Sequence, residues 1–181
     1  MNAIGFVELN SIARGIEVAD AILKASDVEL ISANAGCPGK YYILFCGNTA
    51  AADVAITVGA ALGGAYVVDH TLISNIHPNV IKAMTKTTKA PQKGALGVLE
   101  FFSVTASVYA ADAAVKAADI QLIELRAGMG VGGKSYLTLA GDVAGVQAAV
   151  KAGISEENAR GMLINSAVIP NPTESLFKCL Y

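Results

Sequence analysis

Ala3-Ile4-Gly5-Phe6-Val7-Glu8-Leu9 returns later in the chain as Ala95-Leu96-Gly97-Val98-Leu99-Glu100-Phe101, 92 residues on (95 − 3). The register persists. Ser11 matches Ser103, Ala19-Asp20-Ala21 matches Ala111-Asp112-Ala113, and Lys24-Ala25 matches Lys116-Ala117. Beyond the loop around Cys37 the offset becomes 94 (133 − 39): Gly39-Lys40 matches Gly133-Lys134, Gly47 matches Gly141, and Pro78 matches Pro172. Self-similarity at a fixed period marks a repeated structural unit. The chain is therefore two tandem copies of one module, and the second copy has the longer loop. The polar stretch Thr85-Lys86-Thr87-Thr88-Lys89, followed by Pro91, reads as the linker. We set the domains at residues 1–88 and 92–181.

Each copy has the same local grammar. Ile4–Leu9 and Leu96–Phe102 are short apolar strands. Asn10 or Ser11 caps the helix that follows, as Ser103 does in copy two, because a short polar side chain satisfies a free N–H of the first turn. Ile12, Ile16, Ala19 and Leu23 form the expected inner face of the first helix. Val104, Val108, Ala111 and Val115 form that of its counterpart. Val28–Ala33 and Tyr41–Cys46 read as strands joined across the Cys37 loop. Asn48 or Thr49 caps an alanine-rich helix that ends at Gly63-Gly64, and Tyr66–Ile73 is the last strand. The order β-α-β-β-α-β is the split βαβ pattern, so the fold class is α+β, with two tandem ferredoxin-like variants. At roughly 90 residues each, two modules bury a reasonable core.

Composition narrows the function. The 181 residues are 54% hydrophobic and 15% charged, which points to surface covered by other subunits. A net charge of −2 with no basic stretch argues against nucleic acid as a partner. No apolar run reads as reaching the roughly 18 residues that span a bilayer, so no membrane partner is expected. The first residues carry no basic n-region or cleavage site of a secretory signal. Three cysteines, Cys37, Cys46 and Cys179, without C-x-x-C spacing make a disulfide framework unexpected and suit the cytosol.

These registered motifs, with the closing Ile169-Pro170-Asn171-Pro172, resemble the bacterial microcompartment shell domain. Two such domains in one chain resemble the tandem-domain shell proteins. The resemblance implies a structural, non-enzymatic homotrimer of pseudo-hexagonal outline, tiling a shell facet in the cytoplasm beside other shell proteins. It implies that Lys24 and Lys116 are edge lysines at the seam between tiles. His77 and Asn171 occupy the position where the family often carries an arginine that touches the next tile. The loop residues Gly36, Cys37, Pro38 and Gly39, with Gly130, Val131 and Gly132 in copy two, would line the central pore.

Three chains would bring three Cys37 thiols to the threefold axis. Thiolates are the usual ligands of iron–sulfur clusters. Likeness of the cysteine loop to one tandem-domain shell subtype implies one [4Fe-4S] cluster per trimer, held by three Cys37. Its role would be electron transfer across the shell, with a luminal or cytosolic redox enzyme as the further partner. Two alternatives stay open: Cys37 simply narrows a metabolite pore, or the chain is a soluble ferredoxin-like ligand-binding regulator.

Other candidates carry less. Cys46, in an apolar strand, and Cys179, in a helix-like run over Glu174–Tyr181, read as packing residues. His70 and His77 lack a ligand constellation. Gly128-Met129-Gly130-Val131-Gly132-Gly133 matches G-x-G-x-x-G, but a dinucleotide site needs a helix next, and Lys134–Leu139 reads as a strand. Asp20 and Asp112 pair with Lys24 and Lys116 at i,i+4. Glu8 and Glu100 are equivalents whose recurrence reflects the module, and no nucleophile has a partnered base.

Overall fold

The computed structural model describes residues 3–88, 94–128 and 131–180. The first repeat contains β1 (Ala3–Leu9), α1 (Ile12–Ala25), β2 (Glu29–Gly36), β3 (Lys40–Gly47), α2 (Thr49–Gly63) and β4 (Val67–Ser74). A short α3 (Pro78–Met84) follows. The second repeat runs β5 (Ala95–Phe101), α4 (Val104–Ala117), β6 (Gln121–Ala127), β7 (Ser135–Gly141), α5 (Val143–Ser155), β8 (Leu163–Ile169) and α6 (Glu174–Cys179). Each repeat makes one four-stranded antiparallel sheet, ordered β2-β3-β1-β4 and β6-β7-β5-β8.

Capping follows the polar residues that precede each helix. Ser11 accepts from the Arg14 N–H, Asn48 from Ala51, Ser103 from Ala106 and Asp142 from Gly145. Such a cap contributes about 1 kcal/mol. Gly64 ends α2 at φ 53°, where a side chain is disfavoured.

The core of the first repeat joins α1 and α2 to one face of the sheet, through Val18, Ile22, Ala52, Ala55, Val7, Leu9, Ile43 and Phe45. Gly5 exists because the Phe45 ring lies where its Cβ would be, 2.2 Å from the nearest ring atom. Copy two solves the same contact with Leu139 over Gly97, at 2.7 Å.

Three sequence expectations need correction. The expected inner face of α1 holds at Ala19 but fails elsewhere: Ile12, Ile16 and Leu23 are exposed, and Gly15, Val18 and Ile22 are buried beside Ala19. Close approach decides this. The Tyr41 ring packs onto Gly15, where a Cβ would meet it at 2.4 Å, and that turns the stripe containing Gly15 inward. In α4 the expected face does go in at Val104, Val108 and Ala111. The strand expected to reach Phe102 stops at Phe101, and Phe102 is exposed. An apolar stretch of 18 residues does exist, Thr49–Tyr66, with mean hydropathy 1.2. Its α2 portion packs a face of Ala52, Ala55, Ile56, Gly59 and Gly63 inward.

The chain divides into two compact units. One is Met1–Ile76 with Gly128–Gly132; the other is His77–Ala127 with Gly133–Tyr181. Thus residues 77–88, which we read as the end of the first domain, pack with the second unit. Val80 and Ala83 of α3 are fully buried there, and α3 lies on β6 and α4.

Candidate functional site: the Cys37 hairpin and the edge carboxylates

The β2–β3 hairpin turns at Cys37-Pro38-Gly39, with a cis Cys37–Pro38 bond and Gly39 at φ 77°. Cys37, Pro38 and Gly39 are exposed and Gly36 is half-buried. The thiol therefore faces solvent at a turn tip. The turn is tied to the sheet by residues that the sequence reading passed over. The buried Tyr42 donates its hydroxyl to the Cys37 carbonyl oxygen at 3.3 Å and stacks on Phe6, with ring centroids 6.1 Å apart. Burial, with the nearby Glu8 and Cys37 charges, pushes the Tyr42 phenol up to about 12, so it remains a neutral donor at neutral pH.

Two glycines frame the Tyr42 ring. A Cβ on Gly36 would come within 2.3 Å of it, and one on Gly128 within 2.8 Å. Gly128 has φ 70°, a conformation that glycine adopts freely. Among the second loop's residues, Gly128, Val131 and Gly132 belong to the same compact unit as the Cys37 hairpin, so the two predicted pore-loop sets come together there. Gly130 lies outside the described residues. Lys40, following the turn, pairs with the buried Glu8 of β1, and Lys134 pairs with Glu100 at 3.3 Å in the second repeat. The recurrence of these glutamates is thus a cross-strand ion pair beside each loop. β7 follows Gly132-Gly133 as a strand, and this geometry removes the dinucleotide reading.

The hairpin of the second repeat carries a different network. Arg126 donates from Nε and Nη2 to Glu124 Oε1 at 3.0 and 2.7 Å, and the Tyr136 hydroxyl donates to Oε2 at 3.0 Å. Lys86 lies 3.4 Å from Oε1. Burial opposes ionisation of Glu124, but the hydrogen bonds from Arg126 and Tyr136 and the two cations hold its carboxyl below the usual range. The same burial and the Glu124 carboxylate push the Tyr136 phenol up.

Three of the four predicted edge residues meet one of two aspartates. Lys24 pairs with Asp20 and Lys116 with Asp112, each at 2.5 Å, as the i,i+4 spacing requires. Asp112 also accepts the His77 backbone N–H at 2.7 Å on Oδ1, a bond that the sequence did not signal. The His77 ring caps α3 by accepting from the Asn79 N–H at 3.2 Å. Asn171 is exposed in the bend after β8.

Cys46 is buried, and burial and Glu29 push its thiol up, as suits a packing residue. Cys179 is exposed, so the packing role read for it does not hold; Tyr181, which the same run included, lies outside the described residues. Among the described residues no three His, Cys, Asp or Glu side chains gather within one chain. A metal centre at Cys37 therefore needs thiols from other copies. The exposure of Cys37 at a turn tip fits that demand.

Two tandem sheet-and-helix modules, each with a hairpin between its second and third strands, define a class, and comparison identifies it. The BMC domain family matches residues 3–76 and again 95–172, so the chain belongs to the BMC-domain family. Bacterial microcompartment shell protein PduT of Citrobacter freundii is 39% identical over 176 residues, covering 97% of this chain and 96% of that protein. Carboxysome assembly protein CcmO of Synechococcus elongatus is 27% identical, over 98% of this chain and 68% of its own. A crystal structure of a microcompartment protein from Desulfitobacterium hafniense superposes with a TM-score of 0.95 at 46% identity, covering 99% of each chain. The fold expected from the repeat is confirmed. These findings make the chain a tandem-domain microcompartment shell protein, resident in such a shell.

Proposed function

We propose that the protein is a homotrimeric facet tile whose three Cys37 thiols meet at a central pore and hold one [4Fe-4S] cluster. The observation that carries this is the exposed Cys37 thiol at the tip of a hairpin anchored by Tyr42. Cyclic symmetry turns one such thiol per chain into three equivalent ligands around an axis. Three cysteines leave one iron of a cubane for an outside ligand. The cluster supplies one-electron transfer. The chain's own part is to present the thiols, fix the turn through Tyr42, and keep the loop open at Gly39. Electrons would then cross the shell toward a redox enzyme on one side of it. Lys24 and Lys116, with His77 and Asn171, would sit at the seams with neighbouring shell proteins.

The test is iron and acid-labile sulfide per trimer in protein purified without oxygen. About four of each, lost in Cys37→Ser while the trimer persists, supports the cluster. Intact trimers that take up no iron after anaerobic reconstitution refute it and leave a pore that conducts small metabolites.

A further inference from the structure

α3 covers part of the second repeat. It lies on β6 and α4, and its Val80 and Ala83 are fully buried. It has only 7 residues, and the N–H groups of its first turn have no partner within the helix. Pro78 at the start has no N–H to satisfy, and the Val80 N–H reaches the His77 carbonyl oxygen at 2.9 Å. That leaves the Asn79 N–H, which donates to Nδ1 of the His77 ring at 3.2 Å.

This cap differs in kind from the others. Ser11, Asn48, Ser103, Asp142 and Thr173 cap their helices with oxygen acceptors. An imidazole nitrogen accepts only while it carries no proton, so the capping ring is the neutral tautomer with its hydrogen on Nε2. Imidazole is also the side chain that gains its charge between pH 5 and 8. A proton on Nδ1 would meet the Asn79 N–H donor to donor and set a cation at the positive end of α3. The cap and the charged ring are therefore mutually exclusive.

The titratable and charged side chains on the elements packed against α3 are Tyr109, Asp112 and Lys116 of α4 and Glu124 and Arg126 of β6; α3 itself adds Lys82. Glu124 is taken by Arg126 and Tyr136. Asp112 lies against His77: Oδ1 accepts its backbone N–H at 2.7 Å, and Oδ2 holds Lys116. Both oxygens of the nearest carboxylate are engaged, so a charged ring turns outward from the helix end.

We infer that His77 is a proton-operated latch: neutral, it caps α3; charged, it releases the first turn of α3 and turns a cation outward. Val80 and Ala83 hold the rest of α3 in place, so the release is local. The outward cation acquires a role only through the seam position proposed for His77 above, and that half of the inference rests on that reading. Asn171, at the equivalent position 94 residues on (171 − 77), does not titrate, so only one of the two seam positions responds to pH.

The experiment records the histidine ring nitrogens of the full chain by nuclear magnetic resonance, with His70→Gln to assign the two rings. At about pH 8 the His77 ring should carry its proton on Nε2 and none on Nδ1, and at about pH 6 most rings should carry both. Hydrogen exchange over Pro78–Met84, corrected for the intrinsic effect of pH, should quicken about fivefold between these conditions through loss of one cap. His77→Asn keeps an oxygen acceptor at the cap and should show no such change. A neutral ring protonated on Nδ1, or exchange that quickens equally in His77→Asn, overturns the latch. Sheets under the electron microscope test the outward cation. The unaltered chain should form more extensive sheets at about pH 6 than at about pH 8, and His77→Asn should form the same sheets at both. An equal pH response in the two proteins overturns the seam half of the inference and leaves the latch standing. None of these readouts needs iron, so the cluster reading stands or falls separately.

Discussion

The Tyr42 hydroxyl donates to the carbonyl oxygen of Cys37 at 3.3 Å, so a buried side chain in β3 fixes the turn that carries the exposed thiol. Tyr42→Phe keeps the ring against Phe6 and between Gly36 and Gly128 but removes the bond. The expected cost is about 1 kcal/mol in denaturant unfolding. Faster proteolysis at the Cys37 turn should accompany it, with the same oligomeric mass.

The same residue predicts a pH dependence. The folded phenol titrates at about 12, against an ordinary value of 10.0. Its contribution to stability is complete below pH 10 and is lost as the pH rises toward 12, because the unfolded chain ionises first. The maximal loss is about 2–3 kcal/mol. Unfolding free energies from pH 9 to 12 should fall less steeply in Tyr42→Phe than in the unaltered chain. Parallel curves would show that Tyr42 ionises normally.

Glu124 predicts the opposite limb. Its carboxyl is held low, so its contribution is present above the ordinary carboxylate range and disappears as the pH falls through the lowered value. Glu124→Gln should lose about 1–3 kcal/mol at pH 7. It should also show a shallower loss of stability on acidification below about pH 4.5 than the unaltered chain.

Gly15 and Tyr41 form a size-matched pair, replaced in the second repeat by Ser107 and Ser135, both fully buried. Gly15→Ser forces a Cβ into the Tyr41 ring and should cost about 1–3 kcal/mol. Combining it with Tyr41→Ser should cost less than the sum of the two single changes. Additive losses in a double-mutant cycle would show that the ring moves aside freely.

Lys24 is exposed, and among the described residues it pairs with Asp20. As a seam residue, Lys24→Ala should abolish or thin two-dimensional sheets under the electron microscope without changing the oligomer mass. Sheets of unchanged extent would remove Lys24 from the seam.

Much of this molecule is legible in the chain because its signals are local and appear twice. Short apolar strands, serine and asparagine caps, the glycine stop at Gly63-Gly64 and the exposed turn at Cys37 each depend on a few adjacent residues, and the repeat checks one copy against the other. The inner face of α1 was not legible. Apolar residues occupy two stripes of that helix, and periodicity alone does not rank them. The Tyr41 ring over Gly15 ranks them, and Tyr41 lies in another strand.

The sequence by itself thus determined the tandem modules, their strand and helix order, the i,i+4 pairs and the position of the lone loop cysteine. The tertiary structure decided what those parts touch: Tyr42 under the Cys37 turn, Lys40 on Glu8, Arg126 and Tyr136 on Glu124, and the His77 N–H on Asp112. The physical reason is range. Caps and turns are satisfied by neighbours in sequence, whereas the partner of a buried hydroxyl or a spare carboxylate oxygen is chosen by whichever distant backbone the packed sheet brings within 3 Å or so.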